Sequence, residues 1–85
     1  MSEKKYTNPD YTADENTSDE IQALHKEKKD LSNFNLKEAQ LENIDLVESS
    51  MKNCNLSRAN LKNASMFGSD LSGSNLFMTL SILKN

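Results

Sequence analysis

Few side chains in this 85-residue chain could do chemistry: one histidine, His25, one cysteine, Cys54, and thirteen carboxylates among many serines. A Cys–His or Ser–His–Asp arrangement would make an activated nucleophile, and Cys with His could begin a metal site. Either needs groups that converge. His25 is the sole imidazole and stands upstream of Cys54 and most of the serines, and one Cys with one remote His falls short of a metal's ligand number. There is no glycine-rich phosphate loop and no basic stripe interleaved with aromatics. No catalytic, cofactor or metal-binding residue is expected, and no cofactor; binding is the remaining class of function.

The elements that would position such groups must come from a small chain, which buries little apolar surface. The net charge of −3 sits in residues 1–30, where five lysines face eight acids, while residues 31–85 carry five cations and five acids. A neutral tract is a poor match for a phosphate backbone, so no direct nucleic-acid binding is expected. The start MSEKKYTNPD lacks the apolar run of a secretory signal, no segment approaches a membrane span, and a single cysteine cannot form an internal disulfide. These features fit a soluble, cytoplasmic protein that does not engage a membrane.

From residue 31 an apolar residue recurs every fifth position without a miss: Leu31, Leu36, Leu41, Leu46, Met51, Leu56, Leu61, Met66, Leu71 and Leu76. On an α-helix a step of five scatters these side chains round the circumference, and in a strand it sends alternate ones to opposite faces. Neither gives them one buried side. A chain that turns a corner every five residues does. The residue two before each centre then shares its inward facing, and that series reads Phe34, Ala39, Ile44, Ser49, Cys54, Ala59, Ala64, Ser69, Ser74, mostly small as a crowded corner requires. Cys54 is accordingly read as a small core residue.

The blocks ANLKN at 59–63, ASMFG at 64–68 and CNLSR at 54–58 resemble the A-(D/N)-L-x-x unit of the pentapeptide-repeat family, and the resemblance runs over about residues 29–79. It implies an all-β solenoid, a right-handed quadrilateral β-helix with four blocks per coil, here about two and a half coils. Residues i and i+20 would then stack at the spacing of paired strands. The columns agree: Asn35, Asn55 and Asn75 could form an amide ladder, and Glu38 would meet Arg58 and Glu42 meet Lys62. The acids Glu38, Glu42, Asp45 and Glu48 would fall on different sides of the square, which denies them the work of a carboxylate pair.

The expected organisation is a disordered polar arm at 1–17, a short capping helix at 18–29, the β-helix at 30–79 and a tail at 80–85. Thr17 and Glu20 stand at capping-box spacing, and Ile21 and Leu24 would close the first coil, where Phe34 finds room. His25 is read as a solvated helix residue. The phase breaks at Ser81, with Leu80, Ile82 and Leu83 out of register. Four apolar residues at outward positions form the candidate interaction surface: Val47 and Phe67, stacked on one side, and Phe77 and Met78 at the last coil. The expected role is a non-catalytic module for a protein partner, with homodimerisation through the C-terminal end as one form of it. The resemblance supplies an alternative, since some family members mimic duplex DNA and modulate type II topoisomerases such as gyrase.

Overall fold

The computed structural model describes residues 3–80. The period of five is written in the backbone. Lys28, Asn33, Glu38, Asn43, Glu48, Asn53, Arg58, Asn63, Gly68, Gly73 and Met78 all have φ between 55° and 73°, one left-handed residue in every five. From Asn33 on, each follows an apolar centre by two, and the turn is closed by a backbone bond onto the centre, as in Ala39 N–H to Leu36 O at 3.1 Å and Ala59 N–H to Leu56 O at 3.0 Å. A positive φ at the third of four residues is the mark of a type II turn, which Asn and Gly adopt most easily.

With four residues in each turn, one is left to pair with the next layer. That residue forms an isolated parallel bridge twenty positions on: Asn35 with Asn55, Gln40 with Asn60, Asp45 with Ser65, Ser50 with Asp70, Asn55 with Asn75 and Asn60 with Leu80. Among the described residues no strand forms: the repeats are a chain of turns joined by single parallel bridges. Each bridge is held on both flanks. Around Asn55, for example, Leu56 N–H donates to Asn75 O and Asn75 N–H to Cys54 O, both at 2.8 Å.

The centres from Leu31 to Leu61 are buried, with Ala39, Ile44, Cys54, Ala59 and Ala64 beside them. Burying each Leu or Met stabilises by ~1.5–3 kcal/mol, before the entropy of ordering is subtracted.

The polar residue before each centre acts within its own turn. Asn35, Asp45, Asn55, Asn60, Asp70 and Asn75 each accept, through Oδ1, the N–H two residues on, at 3.0 to 3.3 Å. The expected Asn35–Asn55–Asn75 ladder is therefore not made, because a local acceptor site is satisfied first. One side-chain amide bond does cross between layers, from Asn60 Nδ2 to Gln40 Oε1 at 3.2 Å. Glu38–Arg58 and Glu42–Lys62 do not close as ion pairs. Both are exposed pairs of long side chains, whose ordering entropy offsets a weak attraction. Lys52 Nζ instead lies 3.8 Å from Asp70 Oδ2.

Before the repeats come helix α1 (Glu3–Tyr6) and helix α2 (Thr17–Lys26). The segment expected as a disordered arm thus carries a helix and adds Tyr6 to the core, with Tyr11 and Ala13 packed against it. Its two tyrosines supply the apolar area that a purely polar arm lacks. The capping box is also corrected: the N-cap is Asn16, without a side-chain cap bond, and Thr17 is buried with Oγ1 bonded to Tyr11 Oη at 2.6 Å. Helix α2 ends in a Schellman arrangement, Lys28 N–H to His25 O and Lys29 N–H to Leu24 O, so left-handed Lys28 is at once the helix stop and the first corner of the series. Of the tail expected at 80–85, residues 81–85 lie outside the described residues.

Candidate functional site

Every layer of the stack offers N–H and C=O groups to the layer on either side, so each end must meet that demand with something else. At the N-terminal end the substitutes are present. Asn35 N–H donates to Tyr6 O, and Asn35 Nδ2 donates to the carbonyls of Pro9 at 2.9 Å and Tyr11 at 3.2 Å. On the next-but-one side, Gln22 pairs with Asp45 as a backbone amide would: Asp45 N–H donates to Gln22 Oε1 at 2.9 Å and Gln22 Nε2 donates to Asp45 O at 2.8 Å. His25 Nε2 donates to Val47 O at 2.8 Å, which assigns the imidazole proton to Nε2. In register, the donor there would be the N–H of Lys28, which is spent on the helix stop.

Apolar closure accompanies these bonds. The Tyr6 ring stacks on Phe34 with centroids 5.2 Å apart, and Tyr11 meets Tyr6 edge-on at 4.9 Å. The Tyr6 hydroxyl donates to Glu20, whose carboxylate also takes Lys5 at 2.9 Å. Those bonds, the tyrosine's before the lysine's, hold the Glu20 carboxyl below its ordinary pKa, while burial foremost raises that of the Tyr6 phenol.

The C-terminal end differs. Among the described residues nothing accepts from the N–H groups of Gly68, Leu71, Gly73, Leu76 and Met78, and nothing donates to the carbonyls of Ser69, Ser74 and Thr79. Apolar side chains accompany this edge: Leu76 is 46% exposed, Phe77 60%, Met78 67%, Leu80 46% and Phe67 73%. Phe67, Phe77 and Met78 are thus gathered round one end, whereas Val47 is half-buried, with its carbonyl bonded to α2. The proposed Val47–Phe67 column is continuous in sequence register, but only its lower member stands open.

The reactive candidates are set apart by their bonds. Cys54 is buried, its Sγ donating to Leu31 O at 3.1 Å, and burial pushes its thiol up to about 11, which leaves no thiolate near neutrality. The same small-residue position supplies Ser74 Oγ to Met51 O at 2.7 Å and Thr79 Oγ1 to Leu56 O at 2.6 Å, so the thiol occupies a recurring structural bond. Among the described residues no group of His, Cys, Asp and Glu could hold a metal ion, and no helix is long and apolar enough to cross a membrane.

An open groove of about 700 Å³ runs beside the end of α2, where Lys26, Lys28 and Lys29 face Asp30, Asp45 and Glu48. His25 Nδ1 and Ser49 Oγ have no partner there. Ser49 is orphaned because the carbonyl that would serve it in register belongs to a layer that α2 replaces. The mixed charges select no ligand.

Sequence reasoning missed the capping work of Tyr6, Gln22 and His25. Two tyrosines in a polar arm were the available signal for the first; no spacing rule marked the other two.

The family model for pentapeptide repeats matches residues 35–73 in eight copies. That stretch is a pentapeptide-repeat array, as its turn spacing and twenty-residue bridges require. No curated protein and no solved structure matches the chain.

Proposed function

We propose that the array is a right-handed, four-sided β-helix of about two and a half coils acting as a non-catalytic module for protein–protein interaction, with its C-terminal end as the contact surface. The observation that carries this reading is the asymmetry of the two ends. One end has its backbone groups met by Tyr6, Gln22 and His25; the other carries Leu76, Phe77, Met78 and Leu80 exposed beside backbone groups that no described residue meets. Exposed apolar side chains next to an unpaired edge mark a contact site, because water satisfies the edge but not the apolar area. Pentapeptide-repeat proteins are in general non-enzymatic scaffolds, which accords with a thiol and an imidazole tied up in structural bonds.

Mimicry of DNA for a type II topoisomerase draws no support from the surface. In the twenty-residue register the acids Glu38, Glu42, Asp45 and Glu48 are followed by Arg58, Lys62, Ser65 and Gly68, so no acidic column forms.

The test places a photoreactive phenylalanine analogue at position 77 and, separately, at exposed position 38, in cells that express the chain. Cross-linking to a protein from position 77, lost when Met78→Ser and Leu80→Ser are added, is the expected result. Equal labelling from both positions would remove the end as a specific contact.

A further inference from the structure

Resting on that reading of the end, the geometry points to a specific occupant: we propose that a second copy of the chain docks there, antiparallel, with the dimer two-fold passing beside Asn75. The pattern of unmet groups is the first reason. In the stack, Asn75 bridges upward to Asn55 through bonds at its own N–H and C=O. Its neighbours, Ser74 C=O and Leu76 N–H, are left facing away from the stack without a described partner.

A C=O before and an N–H after one residue can be met by a parallel partner residue that turns its own N–H and C=O to the edge, as Asn75 does beside Asn55, or by an antiparallel partner that carries the same half-pattern. When that residue lies opposite its own copy, Leu76 N–H reaches the copy's Ser74 C=O, and the reciprocal bond forms at the same time. The edge is therefore self-complementary about residue 75. A copy of this edge turns the N–H and C=O of residue 75 into its own stack and so cannot act as the parallel partner; only the two-fold, antiparallel arrangement lets two copies satisfy each other.

Charge selects this position over its neighbour. Asp70 has the same flanking pattern in Ser69 C=O and Leu71 N–H, but a two-fold there would set two carboxylates face to face, which is destabilising. Asp70 is also engaged by Ser72 and Lys52. Residues 71–80, LSGSNLFMTL, hold no charged side chain, so a two-fold at Asn75 brings neutral surface against neutral surface.

Apolar area points the same way. Phe67 and Phe77 lie ten positions apart, two sides of the coil from each other, and at 73% and 60% exposure they present on the order of 250 Å². Leu76, Met78, Leu80 and the backbone edge add to this toward the ~800 Å² per partner of a stable interface. The repeat phase breaks at Ser81, where the next apolar centre would fall.

The experiment is disulfide trapping with Asn75→Cys, alongside light scattering of the unsubstituted chain over a concentration series. Residues opposite each other in a non-hydrogen-bonded antiparallel pair have Cα atoms ~4.5 Å apart, within the range a disulfide spans. Buried Cys54 stays silent. The expected result is twice the chain mass in solution, and mild oxidation converting most of Asn75→Cys, but not Asn63→Cys on a lateral corner, to a covalent dimer. A monomer at every concentration overturns the proposal, as would happen if the chain's own residues 81–85 take the edge. A dimer trapped at position 63 and not at 75 overturns it as well. If the position-77 cross-link captures a different protein while the chain stays monomeric, the contact-surface reading stands and the second-copy proposal falls.

Discussion

The two ends of the stack present the same backbone problem and answer it in opposite ways. At the first layer an arm and a helix from the preceding thirty residues reproduce, with side chains, the groups of a missing coil: the Gln22 amide for a peptide unit, the His25 N–H for a backbone N–H, the Tyr6 ring for an apolar layer. At the last layer no described residue does so. A repeat cannot end on itself, since every internal layer is an acceptor for the next. Sealing one end and leaving the other apolar would confine association to one direction, and on the second-copy proposal the product is a closed pair rather than a filament.

The largest loss is expected from disrupting the layer both ends rest on. Leu56 is fully buried in the middle of the stack, and Leu56→Asp puts a charge there with no partner. The expected outcome is global unfolding, seen as loss of cooperative melting by circular dichroism; a cooperative transition in that variant would refute the inward placement of the centres.

Next in size is the contrast between one aromatic at each end. Tyr6→Ala removes a fully buried ring from against Phe34 and leaves Glu20 without its hydroxyl, so a loss of about 3–5 kcal/mol is expected. Phe77→Ala, at a 60% exposed site, should change the stability of the monomer by less than about 0.5 kcal/mol. Chemical denaturation at low protein concentration measures both. Similar losses would mean that the two ends are equally sealed.

How far these ends were legible in sequence follows from the physics of each. Ten centres in phase demand a corner every five residues, and the small residues before them demand an inside, so the stack was readable from Leu31 to Leu76. What kind of corner was less so: alternating Asn33, Glu38, Asn43, Glu48 at left-handed φ shows that turn geometry overrides the preference of Glu. The strandless result follows from that turn, which uses four of every five residues. The cap was half legible. Ile21 and Leu24 announced an apolar helix face, but Gln22, His25 and Tyr6 act through contacts more than twenty residues away, which no local pattern encodes. The exposed end was visible in Phe77 and Met78 because their positions should be polar.

Acid should loosen the sealed end more than the open one. The Glu20 carboxyl lies below its usual value because the Tyr6 hydroxyl and then Lys5 bind its charged form. A depressed carboxyl contributes fully above the unfolded pKa of ~4.3 and loses its contribution as pH falls through the folded value. Amide exchange, corrected for its intrinsic pH dependence, should show Asn35 N–H, bonded to Tyr6 O, losing protection as pH falls below the unfolded carboxyl value. Asn75 N–H, bonded to Cys54 O, should lose less: the acid of its coil, Asp70, is also held low, but by exposed Ser72, whereas Glu20 is held by buried Tyr6. Glu20→Gln should abolish the difference in pH response; its persistence would assign the effect to another acid.

The smallest effect probes a device the ends share. Lys28, at φ 61°, opens the corner series beside the sealed end, and Met78, at φ 55°, closes the described part of it beside the open one. Each bears a side chain in a conformation costing ~1–2 kcal/mol, and glycine relieves that cost while adding up to ~1 kcal/mol of unfolded-state entropy. Lys28→Gly should therefore stabilise by about 0.5–1 kcal/mol, measured by denaturant midpoint at constant slope. Met78→Gly has the same backbone gain, but if its side chain sits in an interface the substitution also weakens association. The two variants should then agree when the chain is dilute and separate as its concentration rises; agreement at every concentration would show that Met78 serves only as a corner.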